Sequence, residues 1–108
     1  MKQYLSPEQT AKLIKLGLPK PIYYCTDKYT IIHTGFDIIN YSIGELIEML
    51  PISFETENDD TSWLEIEAGA VWRISYSSFG FIDYDCERKE LIDALYDMII
   101  VLNKEGVI

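Results

Sequence analysis

The stretch WLEIEAGAVWRISY, residues 63–76, gives the clearest view of how this chain folds. Apolar and acidic side chains alternate over residues 63–67, which is typical of a β-strand with one buried face. Aromatic and aliphatic side chains alternate with small or charged ones over residues 71–76, and Ala68-Gly69 favours a turn between the two segments. We therefore expect an antiparallel hairpin in which Trp72, Ile74 and Tyr76 share one face.

Other segments around this hairpin also favour strands. Residues 22–25 and 29–33 are rich in β-branched and aromatic side chains, and polar turn residues separate them, so they predict a second hairpin. Residues 52–55 and 79–82 each predict one further strand.

Three helices are predicted from their start and stop signals. SPEQ, residues 6–9, and SIGE, residues 42–45, are both capping boxes that begin a helix. Gly17 ends the first of these helices and Pro51 the second. A third, longer helix begins at Asp85 or a neighbouring residue and continues close to the end of the sequence.

These elements predict an α+β fold. We expect an antiparallel sheet of about four to six strands built from hairpins, with three helices packed mainly on one face: N-terminal, short central and long C-terminal. The length of 108 residues suits a single domain, residues 1–108.

The C-terminal helix carries more apolar residues than one buried face requires. Tyr96 and Ile100 lie on one flank of the core face and Val101 on the other, at about 100° per residue. Leaving an isoleucine in water forgoes roughly 1.5–3 kcal/mol of burial, so we expect the flank to be covered by the chain itself or by another protein. The core face comprises Leu91, Ile92, Leu95, Met98, Ile99 and Leu102.

The overall charge narrows the classes of partner. Nine basic against 18 acidic side chains give a formal charge of −9. This charge repels phosphates and anionic lipid surfaces, so we expect neither direct nucleic-acid binding nor membrane binding.

The N-terminal residues and the cysteines point to the cytoplasm. MKQYLSPEQT lacks the apolar run of a signal peptide or a membrane span, so we expect a cytoplasmic protein. Cys25 and Cys86 belong to no Cys-x-x-Cys motif and are expected to be small buried hydrophobes in a reducing compartment. The sequence leaves open whether they are close to each other.

Candidate chemistry is sparse. His33 is the single histidine, without a nucleophile elbow, and Asp83, Asp85 and Glu87 alternate without the glycine and glutamate of a calcium loop. We expect no catalytic residue, cofactor or metal ion. A small enzyme that uses His33 or the Asp83/Asp85 pair remains an alternative.

The leading hypothesis is a non-enzymatic protein-interaction domain, of which a homodimer is the simplest form. Aromatic residues make up 13% of the chain, and exposed aromatic rings give large contact area for little lost entropy. The candidate interaction residues are Tyr23, Tyr24, Trp63, Trp72 and Tyr76 on the strands and Tyr96, Ile100 and Val101 on the last helix.

An acidic inhibitor of phage type is the alternative hypothesis from another class. Its carboxylates would imitate nucleic acid and occupy the basic cleft of a host protein. This hypothesis requires one region that gathers Glu55, Glu57, Asp59, Asp60, Glu65 and Glu67.

Several stretches resemble a group of short, uncharacterised bacterial proteins found in prophage or other mobile-element surroundings. No activity or site residue is implied by this resemblance. The stretches are LSPEQ (residues 5–9) with Leu16-Gly17, SIGELIEMLP (residues 42–51), Trp72 with Tyr76, and LIDALY (residues 91–96) with EGVI (residues 105–108).

Overall fold

A computed structural model describes residues 2–19 and 40–108. In these residues the fold is α+β, with a four-stranded antiparallel sheet and three helices, which confirms the predicted class. The hairpin predicted over residues 22–33 lies outside the described residues. The elements are α1 (Pro7–Lys15), α2 (Ile43–Met49), β1 (Ser53–Glu55), β2 (Thr61–Glu67), β3 (Trp72–Ser78), β4 (Phe81–Arg88) and α3 (Leu91–Lys104).

Both predicted capping boxes are formed. The Ser6 hydroxyl accepts a hydrogen bond from the Gln9 amide at 3.1 Å, and the Gln9 side chain accepts one from the Ser6 amide at 3.0 Å. Ser42 and Glu45 make the same reciprocal pair at the start of α2. These bonds satisfy backbone amides that a helix start otherwise leaves without partners.

The sheet is a meander in which each strand pairs with the next in sequence, in the order β1-β2-β3-β4. Trp63 lies opposite Ser77, and Ile74 lies opposite both Ile66 and Cys86. The β3–β4 turn consists of Phe79 and Gly80, both with positive φ angles of 45° and 79°. Two positive φ angles are typical of a two-residue hairpin turn whose twist matches that of the strands.

The core lies between one face of the sheet and α3. Ile74 and Tyr76 of β3 are fully buried there, and Leu64 and Tyr84 pack beside them from the neighbouring strands. The predicted core face of α3 is confirmed, since all six of its residues are buried. We call the sheet face that packs on α3 the inner face and the opposite one the outer face.

The N-terminal segment, residues 2–5, contacts two other parts of the protein. Tyr4 forms a bridge with Ser42, and the Leu5 amide donates to the Tyr41 carbonyl at 2.9 Å. The Lys2 ammonium pairs with Asp93 of α3 at 3.1 Å. Residues 2–5 therefore connect the start of α2 with the start of α3.

The start of the last helix differs from the prediction. Strand β4 continues to Arg88 and α3 begins only at Leu91, so Asp85 and Glu87 are strand residues and not helix-entry acids. The reason is the pairing of residues 85–88 with residues 72–75 of β3, which satisfies their backbone groups in a ladder and directs Cys86 to the core.

Candidate functional site

The flank of α3 is partly covered by the protein itself. Tyr96 and Ile100 are half-buried and pack against the hydrophobic core, and Val101 on the other flank is also half-buried. Burial, together with the neighbouring Asp97 carboxylate, raises the pKa of the Tyr96 hydroxyl. Most of the apolar surplus that the sequence revealed in this helix therefore serves the core.

The structure places the aromatic candidates of the sheet on different faces. Tyr76 is fully buried on the inner face, where its hydroxyl donates to the Pro51 carbonyl at 2.6 Å. Trp72 packs half-buried on the same face, whereas Trp63 lies on the outer face. Tyr23 and Tyr24 lie outside the described residues.

Exposed apolar side chains surround Trp63 at one end of the outer face. Trp63 is 55% exposed, Phe79 in the β3–β4 turn is 82% exposed, and Ile82 is 55% exposed. Ser77 of β3 lies opposite both Trp63 and Ile82, so these two side chains flank it on the same face. We call Trp63, Phe79 and Ile82 the Trp63 patch.

Phe81 is at the same end of the sheet but belongs to the other face. It is 75% exposed and pairs with Ser78, which shares the inner face with Tyr76. Phe81 is therefore a matched reference residue for the patch, with similar exposure and chemistry in the same hairpin.

A cleft adjoins the Trp63 patch. It has a volume of about 460 Å³ and is lined by Asp59, Asp60, Thr61, Trp63 and Phe79. The loop between β1 and β2 that carries the two aspartates is closed by hydrogen bonds to Thr56. The Thr56 amide donates to the Asp60 carbonyl at 2.7 Å, and the Thr56 carbonyl accepts from the Asp59 amide at 3.1 Å.

Carboxylates occupy the rest of the outer face. Glu65 and Asp85 lie on either side of Ser75, and Glu67 and Glu87 lie on either side of Arg73. The Arg73 guanidinium hydrogen-bonds Asp85 at 3.3 Å and lies 3.9 Å from Glu87. Within the described ranges, these four carboxylates lie in the two rows nearest the Arg73 guanidinium, and Glu55 of β1 adds a fifth on the same face opposite Thr61.

The six carboxylates of the inhibitor hypothesis fall into two groups. Glu55, Glu57, Asp59 and Asp60 belong to the β1–β2 turn end, and Glu65 and Glu67 belong to the far end of β2. Glu55 lies opposite Thr61. At 3.4 Å per residue along β2, Glu65 is therefore about 14 Å and Glu67 about 20 Å from Glu55.

The Asp83/Asp85 pair does not form a shared site. A register shift in the β3–β4 ladder next to Ser77 leaves Asp83 out of the regular pairing, and its carboxylate accepts from Ser62 at 2.6 Å and from Ser78 at 3.0 Å. Asp85 instead pairs with Arg73 on the outer face. His33 lies outside the described residues.

A further reactive side chain in residues 2–19 and 40–108 is Cys86. Burial, and then the charges of Asp97 and Asp85, raises the pKa of the Cys86 thiol to about 11, which leaves little thiolate at neutral pH. No group of three or more His, Cys, Asp or Glu side chains in these ranges is placed to hold a metal ion. None of the helices in the same ranges has the length and apolar character that a membrane span requires.

The surface candidates that the sequence alone did not single out are Phe79 and Ile82, whereas Asp59 and Asp60 were expected only as carboxylates of the inhibitor hypothesis. A signal for Phe79 was present in the sequence, because an aromatic residue before Gly80 stands where a hairpin turn normally carries a small polar residue.

Comparisons with protein-family models, with curated proteins and with solved structures each find no match to the chain.

Proposed function

We propose that this protein is a non-enzymatic protein-interaction domain that binds another protein through the Trp63 patch. The observation that supports the proposal is the exposure of three large apolar side chains at one end of the outer face, with Trp63 and Ile82 on either side of Ser77 and Phe79 in the adjoining turn. Contiguous exposed apolar surface rimmed by polar residues is typical of protein-binding sites. Tryptophan at the centre of such a surface commonly contributes much of the binding energy.

A different protein suits this surface better than a second copy of the chain. The patch is bordered by Asp59, Asp60 and Glu65, and a two-fold pairing of the same surface would bring these carboxylates close to their own counterparts. Like charges across an interface cost several kcal/mol, whereas a basic surface would be attracted. Homodimerisation is therefore the less favoured form of the proposal.

The inhibitor hypothesis receives less support than the interaction domain. Its six carboxylates form two groups along β2, and the outer face that holds Glu55, Glu65 and Glu67 also holds the apolar patch. Imitation of nucleic acid requires a continuous run of charge. Burial of apolar surface by a protein partner accounts for the patch as well as the acids.

Selection from a displayed library of random peptides tests the proposal. Peptides of about 12 residues are selected on the immobilised wild-type protein, a length that spans about 18 Å as a helix and matches the outer face. The selected peptides are then measured against Trp63→Ser and against the reference variant Phe81→Ser. We expect Trp63→Ser to weaken binding at least about tenfold and Phe81→Ser to leave it unchanged.

Two results would contradict the proposal. One is the absence of any peptide enriched above a blank surface. The other is a set of peptides that bind Trp63→Ser as well as they bind the wild type. Circular dichroism checks that both variants keep the wild-type fold, which is expected because both side chains are mainly exposed.

A further inference from the structure

The cleft beside Trp63 combines two kinds of group that attract a cation. It is lined by Trp63 and Phe79, whose side chains are exposed, and by the acidic residues Asp59 and Asp60. A guanidinium or ammonium group is attracted to the face of an aromatic ring and to a carboxylate at the same time. Neither an anion nor a neutral polar group gains both interactions.

The carboxylates of the cleft have no cationic partner of their own in the part of the chain that the structure describes. The salt bridges within residues 2–19 and 40–108 join Lys2, Arg73 and Arg88 to acids on β4 and α3, and none involves Asp59 or Asp60. Their loop is held by backbone bonds to Thr56 and by the Asp60 amide, which donates to the Thr56 hydroxyl at 3.3 Å. The loop of the cleft is thus held by its own hydrogen bonds, and none of the cations in residues 2–19 and 40–108 neutralises its two acids.

The electrostatic field around the cleft is also negative. The carboxylates of Glu65 and Asp85 occupy the row of the outer face next to Trp63, and the chain carries a formal charge of −9. A positively charged group is therefore attracted to the cleft from a distance as well as in contact. An acidic group would be repelled on both scales.

We propose that this cleft receives an arginine or lysine side chain of the partner protein, with the cation between the two aromatic rings and the two aspartates, while the partner's neighbouring apolar residues cover Ile82. This inference rests on the proposed function, because it specifies the partner's chemistry at the same surface. The expected partner segment carries a basic residue flanked by apolar ones.

Nuclear magnetic resonance with defined peptides tests this inference. The probes are acetylated and amidated pentapeptides of sequence Gly-Leu-X-Leu-Gly, in which X is arginine, lysine, citrulline or glutamate. Citrulline has nearly the shape of arginine without its charge. The chain contains two tryptophans, so the indole N–H signal of Trp63 is assigned by its loss in Trp63→Phe.

We expect the arginine and lysine peptides to shift the Trp63 indole signal in a saturable way. The citrulline peptide should bind about tenfold more weakly, and the glutamate peptide should cause no shift. Raising the salt concentration from about 0.05 M to about 0.5 M should weaken the arginine peptide roughly threefold, since screening shortens the range of the charges.

A pair of matched variants locates the charge that is recognised. The double variant Asp59→Asn with Asp60→Asn should reduce binding of the arginine peptide to the level of the citrulline peptide. Glu48→Gln removes one carboxylate from the exposed side of α2 and should leave the affinity unchanged. Amide spectra of each variant verify that the fold is retained.

Equal binding of the arginine and citrulline peptides, or no shift of the Trp63 signal with either cationic peptide, would overturn the inference. The proposed function fails by a different result, namely the lack of displayed peptides that depend on Trp63. If such peptides are found but contain no basic residues and bind independently of salt, the interaction domain stands and the cation cleft does not.

Discussion

At the scale of single residues, the hydroxyl of Tyr76 makes a separable contribution to stability. It lies in the core, its ring centroid is 5.1 Å from that of Phe54, and it donates to the Pro51 carbonyl. Burial raises the pKa of this hydroxyl far above its ordinary value, so it stays a protonated donor at neutral pH.

Tyr76→Phe should lower the free energy of unfolding by about 1–2 kcal/mol, because the Pro51 carbonyl loses its donor while the ring packing is kept. Chemical denaturation followed by circular dichroism measures this change. Tyr4→Phe is the control, since Tyr4 is mainly exposed and should change stability by less than about 0.5 kcal/mol. Equal effects of the two substitutions would show that the buried bond contributes nothing specific.

Ser42→Ala should lower the free energy of unfolding by about 1 kcal/mol. The Ser42 hydroxyl accepts from the Glu45 amide at 3.2 Å, and alanine leaves that amide without a partner at the start of a helix of seven residues. Thermal melting of Ser42→Ala beside the exposed-site variant Glu48→Ala measures the effect. A Ser42→Ala protein as stable as Glu48→Ala would mean that the tertiary contacts of α2 fix its start without the cap.

At the scale of elements, the flank of α3 tests whether the helix is stabilised from within or by a partner. Ile100→Asp should lower the free energy of unfolding by about 2–3 kcal/mol, because a charge would replace an apolar side chain that packs on the core. Ile47→Asp introduces the same charge on the exposed side of α2 and should cost much less.

Light scattering of the Ile100→Asp protein accompanies the melting experiment. We expect a monomer of lowered stability. A wild-type dimer that becomes an equally stable monomer in Ile100→Asp would assign this flank to an interface. Unchanged melting and unchanged mass would show that the flank serves neither the core nor an interface.

The attachment of the N-terminal segment to α3 predicts a dependence on pH. Burial favours a raised pKa for Asp93, but hydrogen bonds from Gln9 and Lys2, both at 3.1 Å, and the Lys2 charge outweigh it and hold the pKa below the ordinary 3.8. A carboxylate whose pKa is lower in the folded state than in the unfolded state stabilises the fold. This contribution is complete at pH values above 3.8 and is lost as the pH falls through the pKa of the folded state.

Asp93→Asn should therefore be less stable than the wild type by about 1 kcal/mol at pH of about 7. The difference should shrink as the pH falls below 3.8. Unfolding by urea at a series of pH values measures both proteins, with Glu48→Gln as the control for loss of one exposed carboxylate. A difference that stays constant across the series would show that the charge of Asp93 does not act through these partners.

At the scale of the whole molecule, the excess of negative charge should make stability depend on salt. A formal charge of −9 disfavours the compact state, and four carboxylates of the outer face lie near one another. Raising sodium chloride from about 0.02 M to about 0.3 M should raise the melting temperature by about 3 °C, which corresponds to about 0.5 kcal/mol.

The variant Glu65→Gln, Glu67→Gln, Asp85→Asn, Glu87→Gln locates the source of this repulsion. The melting temperature of this variant should rise less with salt than that of the wild type, because much of the local repulsion between carboxylates is already removed. A melting temperature that falls with salt in the wild type would mean that the salt bridges of Lys2, Arg73 and Arg88 outweigh the net repulsion.

Local interactions in the sequence determined much of the secondary structure of this protein. The capping boxes at Ser6 and Ser42 use groups within four residues of each other, and the alternation over residues 63–76 needs only the two-residue period of a strand. These features follow from the sequence because the partners are neighbours in the chain. The α+β class and the core face of α3 could therefore be predicted.

Features that join distant residues were decided by the tertiary structure. Pairing with β3 kept residues 85–88 in a strand, where the sequence alone had favoured the start of a helix. The Trp63 patch exists because the register places Ser77 between Trp63 and Ile82 and the turn brings Phe79 beside them. The physical reason is that exposure depends on which distant side chains share a face. Two aromatic residues only three positions apart differ completely in this respect, since Tyr76 is buried in the core and Phe79 is exposed on the surface.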